Sequence, residues 1–224
     1  MHIPDGLMDP FLVGVGWVIA IVFVGIAIYT ANKRLDERQI PVMGVLAAAV
    51  FVAQMLNFPV LGGTSGHFVG AALIAIILGP WTAMIVMLTI LLVQGLVFGD
   101  GGITALGLNI LNMAIVGSFV GWSVFRGLRS QNLEIAVFMA SWLSIFLGAA
   151  LCATELSLSY TVSGGTYGIV GTIAFPAMLG YHALIGIGEG IISTGTYVFI
   201  SRVSPEVLKM PKLALFSKEE VSLQ

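Results

Sequence analysis

Long apolar stretches separated by short polar clusters organise almost the whole chain. Five stretches carry no formal charge, and they cover residues 11–31, 39–99, 101–125, 135–154 and 156–188. A membrane-spanning helix needs about 20 apolar residues, so the pattern predicts six or seven spanning helices. The count depends on residues 39–99, where a helix over 41–57 and a loop, FPVLGGTSG, precede an apolar stretch over 68–98 that Gly79-Pro80 interrupts. That pair is typical of a kink or of a tight turn.

The basic residues decide between a kink and a turn, because Lys and Arg collect on the cytoplasmic side of a membrane protein. A turn gives seven helices with all nine basic residues on one face, whereas a kink gives six helices with three of the nine opposite the others. The nine are Lys33, Arg34, Arg38, Arg126, Arg129, Arg202, Lys209, Lys212 and Lys218. We therefore predict a seven-transmembrane-helix bundle, with the amino terminus outside and residues 203–224 as a cytoplasmic tail. The third helix, over 68–79, is too short to cross upright and needs protein neighbours.

Composition supports a single integral membrane domain over residues 1–224. Hydrophobic residues make up 58% of the chain, charged residues make up 9%, and the formal net charge is -2. The few basic residues sit in short clusters, which gives no support to nucleic-acid binding. The single cysteine, Cys152, lies in an apolar stretch and is interpreted as a packing residue.

The first ten residues, which include MHIPDG, are predicted to be an extracytoplasmic segment. They lack the basic and apolar regions of a cleavable signal peptide, so we expect the mature protein to start at Met1 with a free amine. In the predicted topology the outer face carries Met1, His2, Asp5, Asp9, the GGTSGH loop, Asp100 and Glu155. Two of the three histidines, His2 and His67, lie on that face.

A free amine, the deprotonated amide of residue 2 and Nδ1 of a histidine at residue 2 can hold a metal in one plane. His67 is the other histidine on that face, and its imidazole can fill the open corner. Square-planar nitrogen ligation suits Ni(II) or Cu(II), with Co(II) possible, whereas zinc prefers a tetrahedral site. Taken singly, each histidine is more typical of a loop or tail residue than of a metal ligand, so the metal site depends on the two acting together.

Four motifs, MHIPDG, GGTSGH, QGLVFGDGG and GLNILNMA, resemble the CbiM/NikM family over most of the chain. Members of that family are substrate-capture (S) components of energy-coupling-factor (ECF) importers for cobalt and nickel. The resemblance implies a six-helix S-component core with one extra amino-terminal helix, and Met1, His2 and His67 as metal ligands. It also implies that the amino-terminal segment plugs the outer mouth of the bundle, and that Ala49 and Ala53 contact a transmembrane coupling (T) component.

Further polar residues are predicted to orient the ligands or to fill the bundle interior. Those that could hydrogen-bond the loops or an imidazole are Asp5, Asn57, Thr64, Ser65, Gln94 and Asp100, with a turn role equally open for Asp100. Asn109 and Asn112 should point inward, as packing contacts or as part of the site. His182 and Glu189 share a helix face, and we interpret them as a buried hydrogen-bonded pair rather than a metal relay. Small-residue spacings such as Gly117-x-x-x-Gly121 and Gly186-x-x-x-Gly190 predict close helix contacts.

The sequence therefore predicts a substrate-binding subunit of an ATP-driven ECF importer in the inner (cytoplasmic) membrane. Its expected substrate is Ni(II), with Co(II) for cobalamin biosynthesis as the alternative. No phosphate-binding loop is present, so the chain is predicted not to hydrolyse ATP by that route and to be a non-catalytic transporter subunit, not an enzyme. The resemblance implies that partners supply the energy: a T component, two cytoplasmic ATPase subunits and in some cases a small accessory membrane subunit. A membrane metalloenzyme and a channel are the competing classes, and stoichiometric binding without turnover or conductance separates capture from both.

Overall fold

Apolar helices make up most of the computed structural model, which describes residues 1–61 and 64–213. Within those ranges the helices are α1 (Pro10–Arg34), α2 (Gln39–Gln54), α3 (Ala71–Leu78), α4 (Pro80–Phe98), α5 (Leu106–Leu128), α6 (Leu133–Val162), α7 (Gly171–Val203) and α8 (Pro205–Leu208). Five of them, α1, α4, α5, α6 and α7, are long and apolar enough to cross a membrane. Lys218, the end of the predicted tail and the first two glycines of GGTSGH lie outside the described residues.

The segment predicted as a loop after α2 contains a short antiparallel hairpin, which corrects the prediction of an entirely α-helical chain. Strand β1 (Phe58–Val60) pairs with β2 (Thr64–Gly66), so that Phe58 lies opposite Gly66 and Val60 opposite Thr64. A side chain at Gly66 would overlap Phe58 and Ile185, because its Cβ would lie 2.9 Å from each. The hairpin is therefore pressed against α7, and glycine permits the close approach.

Gly79-Pro80 separates two helices that pack against each other, as the predicted turn requires. Gly79 has a φ of +90° and ends α3, and Pro80 begins α4, where its missing N–H costs no helical hydrogen bond. A Cβ on Gly79 would lie 2.6 Å from the backbone nitrogen of Leu213. The chain therefore breaks at this pair and does not kink through it.

The third helix is shorter than predicted and wholly enclosed by protein. All eight residues of α3 are buried. Two small residues of α5 allow the contact, because a Cβ at Gly117 would lie 2.9 Å from Ala71 and one at Gly121 would lie 2.5 Å from Ala72. The small-residue spacing predicted for α5 thus lets two helix backbones approach closely. A helix too short to span a bilayer is stabilised by its neighbours, as expected.

The contacts at the helix ends define two ends of the bundle. At one end, Gln39 donates a hydrogen bond to the carbonyl of Pro211 at 2.6 Å, and Leu213 contacts the Gly79 turn. At the other end, which we call the site end, the amino-terminal segment (residues 1–9) contacts the loops at 64–70, 99–105 and 163–170. Helices α4 and α5 each contain a π-helical stretch: Gln94–Phe98 ends α4 before the 99–105 loop, and Ile110–Val116 follows the first turn of α5.

Candidate metal centre

The amino-terminal segment is clamped into the bundle through the backbone of Ile3. The N–H of Ile3 donates to Asn109 Oδ1 at 2.8 Å, and Asn109 Nδ2 donates back to the Ile3 carbonyl at 3.1 Å. That carbonyl also accepts the N–H of Gly102 at 2.8 Å. Met1, His2 and Ile3 are all buried. One asparagine on α5 therefore fixes the position of the two residues before Ile3.

Two aspartates hold the rest of the segment across the site end. Asp5 accepts hydrogen bonds from the N–H groups of Ile103 and Thr104 and from the Thr104 hydroxyl. The Thr104 hydroxyl is the largest cause of the lowered pKa of Asp5. The N–H of Asp9 donates to Ser159 Oγ at 2.8 Å, and the Asp9 carboxylate caps the first turn of α1. Both carboxylates thus serve as anchors, and neither contacts the predicted metal ligands.

Four nitrogen atoms predicted as metal ligands come together at the buried end of this segment. The amine of Met1 lies 3.1 Å from His67 Nε2 and donates to the carbonyl of Ser65. The amide N–H of His2 donates to Ser65 Oγ at 3.1 Å. The rings of His2 and His67 stack, with centroids 4.7 Å apart and planes 24° from parallel. Ser65 in the hairpin therefore holds the Met1 amine and the His2 amide next to both imidazoles.

A hydrogen bond to Phe68 determines which ring nitrogen of His67 carries the lone pair. His67 Nδ1 lies 2.7 Å from the carbonyl oxygen of Phe68, which can only accept, so Nδ1 carries the proton. The lone pair then resides on Nε2, the atom that faces the Met1 amine. Ligating imidazoles in metal sites are usually oriented by such a bond from the other nitrogen.

The surroundings of His2 favour the tautomer in which Nδ1 carries the lone pair. Its Nε2 lies 3.8 Å from Asp100 Oδ2, and that carboxylate accepts a hydrogen bond from Asn57 Nδ2 at 2.8 Å. A carboxylate beside Nε2 favours the tautomer with a proton there, which leaves the lone pair on Nδ1. Gly101 borders Nδ1 so closely that a Cβ at that position would lie 2.8 Å from it.

Burial keeps the donor groups uncharged near neutral pH. Desolvation lowers the pKa of the Met1 amine from 8.0 to about 5, and it lowers the pKa of both His2 and His67 well below the usual value. Burial also raises the pKa of Asp100. At pH 7 the amine and both imidazoles therefore have free lone pairs, and a divalent cation would not meet a competing positive charge.

Side-chain clusters offer no alternative metal site in the part of the chain that the structure describes. Residues 1–61 and 64–213 contain no group of three or more His, Cys, Asp and Glu side chains that could hold a metal. A metal at this end would need backbone nitrogens as well as imidazoles. Cys152 is buried and free, as the packing interpretation requires.

The other residues predicted near the site fall into two groups. Ser65, Asp100 and Asn57 contact the four nitrogens or support them, as described above. The Thr64 hydroxyl donates to Met178 Sδ on α7 at 3.1 Å. The Gln94 side chain is buried without a hydrogen-bond partner among the described residues. On α2, Ala49 is exposed and Ala53 is partly exposed.

The prediction that His182 and Glu189 form a hydrogen-bonded pair was wrong. Seven residues span about 10.5 Å along a helix, which is too far for a direct bond between these side chains. Glu189 instead accepts the N–H groups of Val69 and Gly70 at 2.8 and 2.9 Å, at the start of α3. His182 Nδ1 is 2.8 Å from the Met178 carbonyl one turn earlier.

Two asparagines on α5 have separate partners that helix spacing alone did not reveal. Asn109 clamps Ile3, and Asn112 Nδ2 donates to Glu155 Oε2 at 2.7 Å. Glu155, predicted on the outer face, is buried within α6. The inward direction of both asparagines was predictable from their spacing, but their partners depend on the tertiary structure.

Comparisons with known proteins find relatives among metal transport proteins. Residues 2–207 match the family described as "CbiM: Cobalt uptake substrate-specific transmembrane region". A relative from Archaeoglobus fulgidus, with "fused nickel transport protein NikMN" in its name, is 42% identical over 96% of this chain and 72% of its own length. The "Cobalt transport protein CbiM" of Acetoanaerobium sticklandii is 32% identical over 88% of this chain and 83% of its own length. A crystal structure of a truncated transition metal transporter is 34% identical, with a TM-score of 0.87 over 90% of this chain and 99% of that one.

Proposed function

The chain belongs to the CbiM family. We propose that it captures Ni(II) in a square-planar set of four nitrogens. The donors are the Met1 amine, the His2 amide nitrogen, His2 Nδ1 and His67 Nε2. The observation that carries the proposal is the buried contact of 3.1 Å between the Met1 amine and His67 Nε2, with the His2 ring stacked beside it. A plug built from the first residues would then close over the ion that it binds.

Capture needs little rearrangement of the chain. The amine and the two imidazoles are neutral near pH 7, so only the amide of His2 must lose a proton. Ser65 Oγ, which accepts that N–H, can turn its own hydroxyl proton toward the deprotonated nitrogen. The Met1 amine must stay free, because acylation would remove its lone pair as a donor.

The donor set favours Ni(II) over Co(II). A planar set of four strong-field nitrogens stabilises a low-spin d8 ion more than a d7 ion. Cu(II) would bind more tightly still by the Irving-Williams order, so its exclusion would depend on availability in the cell and on the partners. Co(II), the metal named for the family and for one relative, is the alternative substrate.

The membrane topology and the partner subunits are proposed from the same family membership. We place seven membrane crossings in the inner membrane, α1 to α7, with the site end outside and the Gly79 turn on the cytoplasmic side. ATP hydrolysis would be carried out by two cytoplasmic ATPase subunits through a T component, with or without a small accessory membrane subunit. The exposed face of α2 around Ala49 supports a contact with the T component.

Replacement of His67 tests the proposed donor set. In His67→Ala a water oxygen would take the fourth position, so Ni(II) should bind more weakly and its d-d absorption should move to lower energy. Titrations of the unmodified chain with Ni(II), Co(II) and Cu(II), read by visible absorption, supply the reference spectra. A tetrahedral Co(II) spectrum in the unmodified chain, or unchanged Ni(II) binding in His67→Ala, would contradict the square-planar site.

A further inference from the structure

His182 is a buried imidazole that the capture site does not use. It lies in α7 with no exposed surface, and its Nδ1 is 2.8 Å from the carbonyl of Met178. Because a carbonyl can only accept, Nδ1 carries the proton and the lone pair resides on Nε2. Within residues 1–61 and 64–213, Nε2 has no hydrogen-bond partner. A buried lone pair without a partner is costly, and it suits a ligand that arrives there.

The same arrangement prepares His67 as a ligand. In both histidines a backbone carbonyl fixes the proton on Nδ1, at 2.7 Å in His67 and 2.8 Å in His182, and leaves Nε2 basic. Both side chains are almost completely buried. The two rings therefore present the same neutral donor to a metal.

Contacts between α7 and the segment from the hairpin to α3 run in register and place the two histidines between the same pair of contacts. Thr64 contacts Met178 at the start of this segment, and Glu189 binds the backbone at its end. His67 lies between these contacts along the segment, and His182 lies between them along α7.

One further contact agrees with that placement. A Cβ on Gly66 would lie 2.9 Å from Ile185, three residues beyond His182.

We propose that His182 Nε2 is the next donor to the metal after capture, replacing His67 Nε2 as the ion moves from the site end into the bundle. The proposal rests on the capture function above. The exchange substitutes one neutral imidazole for another while the His2 amide stays bound, so it creates no buried charge beyond those of the captured complex. Met178, one helical turn from His182, carries a thioether that accepts a hydrogen bond from Thr64, and thioether sulfur is itself a soft metal ligand. The face of α7 from 178 to 182 would then act as a relay.

Replacement of His182 by asparagine separates the relay from a structural role. Asparagine places an amide nitrogen near the position of Nδ1 and can keep the bond to Met178, but it has no equivalent of Nε2. We expect His182→Asn to keep the visible Ni(II) spectrum of the unmodified chain. Uptake of 63Ni(II) should fall at least 10-fold in cells whose nickel uptake depends on this chain. Wild-type uptake, or loss of the capture spectrum, would overturn the relay. Failure of the unmodified chain to bind Ni(II) would instead overturn the capture site.

A cysteine at position 182 reports the arrival of the metal directly. With two equivalents of Ni(II), His182→Cys should develop a thiolate-to-nickel charge-transfer band that the unmodified chain lacks, although the latter also contains Cys152. Leu184→Cys is the matched control, because position 184 is 70% exposed on the same helix and should give no band. A capture spectrum in His182→Cys without the new band would overturn the proposal.

Discussion

Gly101 leaves the space in which the His2 ring can present Nδ1 to a metal. An alanine at this position adds a Cβ that would lie 2.8 Å from His2 Nδ1 and 3.2 Å from Asn109 Nδ2. Atoms do not approach this closely, so the ring must move by several tenths of an ångström away from its place in the donor plane. Gly101 also has a φ of +93°, which an alanine adopts at a cost of about 1–2 kcal/mol.

Gly99→Ala separates the two effects of the substitution. Gly99 lies in the same loop with a φ of +66°, but a Cβ there would have no atom within 4 Å. Both variants bear the backbone cost, whereas only Gly101→Ala displaces the ligand. We expect Gly101→Ala to weaken Ni(II) binding at least 10-fold, or about 1.4 kcal/mol, and Gly99→Ala to stay within about 3-fold of the unmodified chain. The assay is a titration against a competing chelator, and equal affinities in the two variants would refute the role of Gly101.

Three further predictions concern the plug, its protons and the topology. Asn109→Leu leaves a buried backbone N–H without its acceptor, so Ni(II) affinity should fall by about 1–3 kcal/mol, whereas Asn112→Leu should lower thermal stability and leave affinity unchanged. Because burial lowers the pKa of the Met1 amine from 8.0 to about 5, the undocked segment binds more protons between those values. Docking of the segment should therefore strengthen as pH rises from 5 to 8. The amine contributes at most about 1.4 kcal/mol per unit, and His2 and His67 add to this below about pH 6.5 because burial lowers their pKa as well. Calorimetry in two buffers at pH 7 should show about one proton released per Ni(II), not two. Cysteine labels in the loops 33–38 and 126–132 should react from the cytoplasmic side, and labelling of the second loop from outside would support six crossings.

The positions of the helices could be predicted from the lengths of the apolar stretches and from the positions of the charged residues. Apolar stretches set the helices, and the break at Gly79-Pro80 followed from the positions of Lys and Arg. The hairpin before His67 was not predictable, because strands of three residues are too short to show an alternating pattern. Its contact with α7 depends on Gly66, whose significance appears only when Ile185 is brought next to it.

The proposed ligand atoms could be assigned from the sequence because most of them are adjacent in it. An amine, an amide and an imidazole in the first two residues form a chelate whatever the rest of the fold does, and the histidine at 67 was assigned by the predicted topology. The parts that depend on tertiary contacts could not be predicted. Spacing placed Asn109 on an inward face but did not identify Ile3 as its partner. Likewise, a shared helix face for His182 and Glu189 did not imply a bond between them.

One added residue before Met1 tests the four-nitrogen site most directly. It converts the amine into a peptide amide and moves the histidine to the third position, while His67 and the membrane helices are unchanged. A chain that begins at Met1 should bind one Ni(II) with a square-planar visible spectrum, and the extended chain should lose that spectrum and bind much more weakly. An extended chain with the same spectrum and the same affinity would contradict the site.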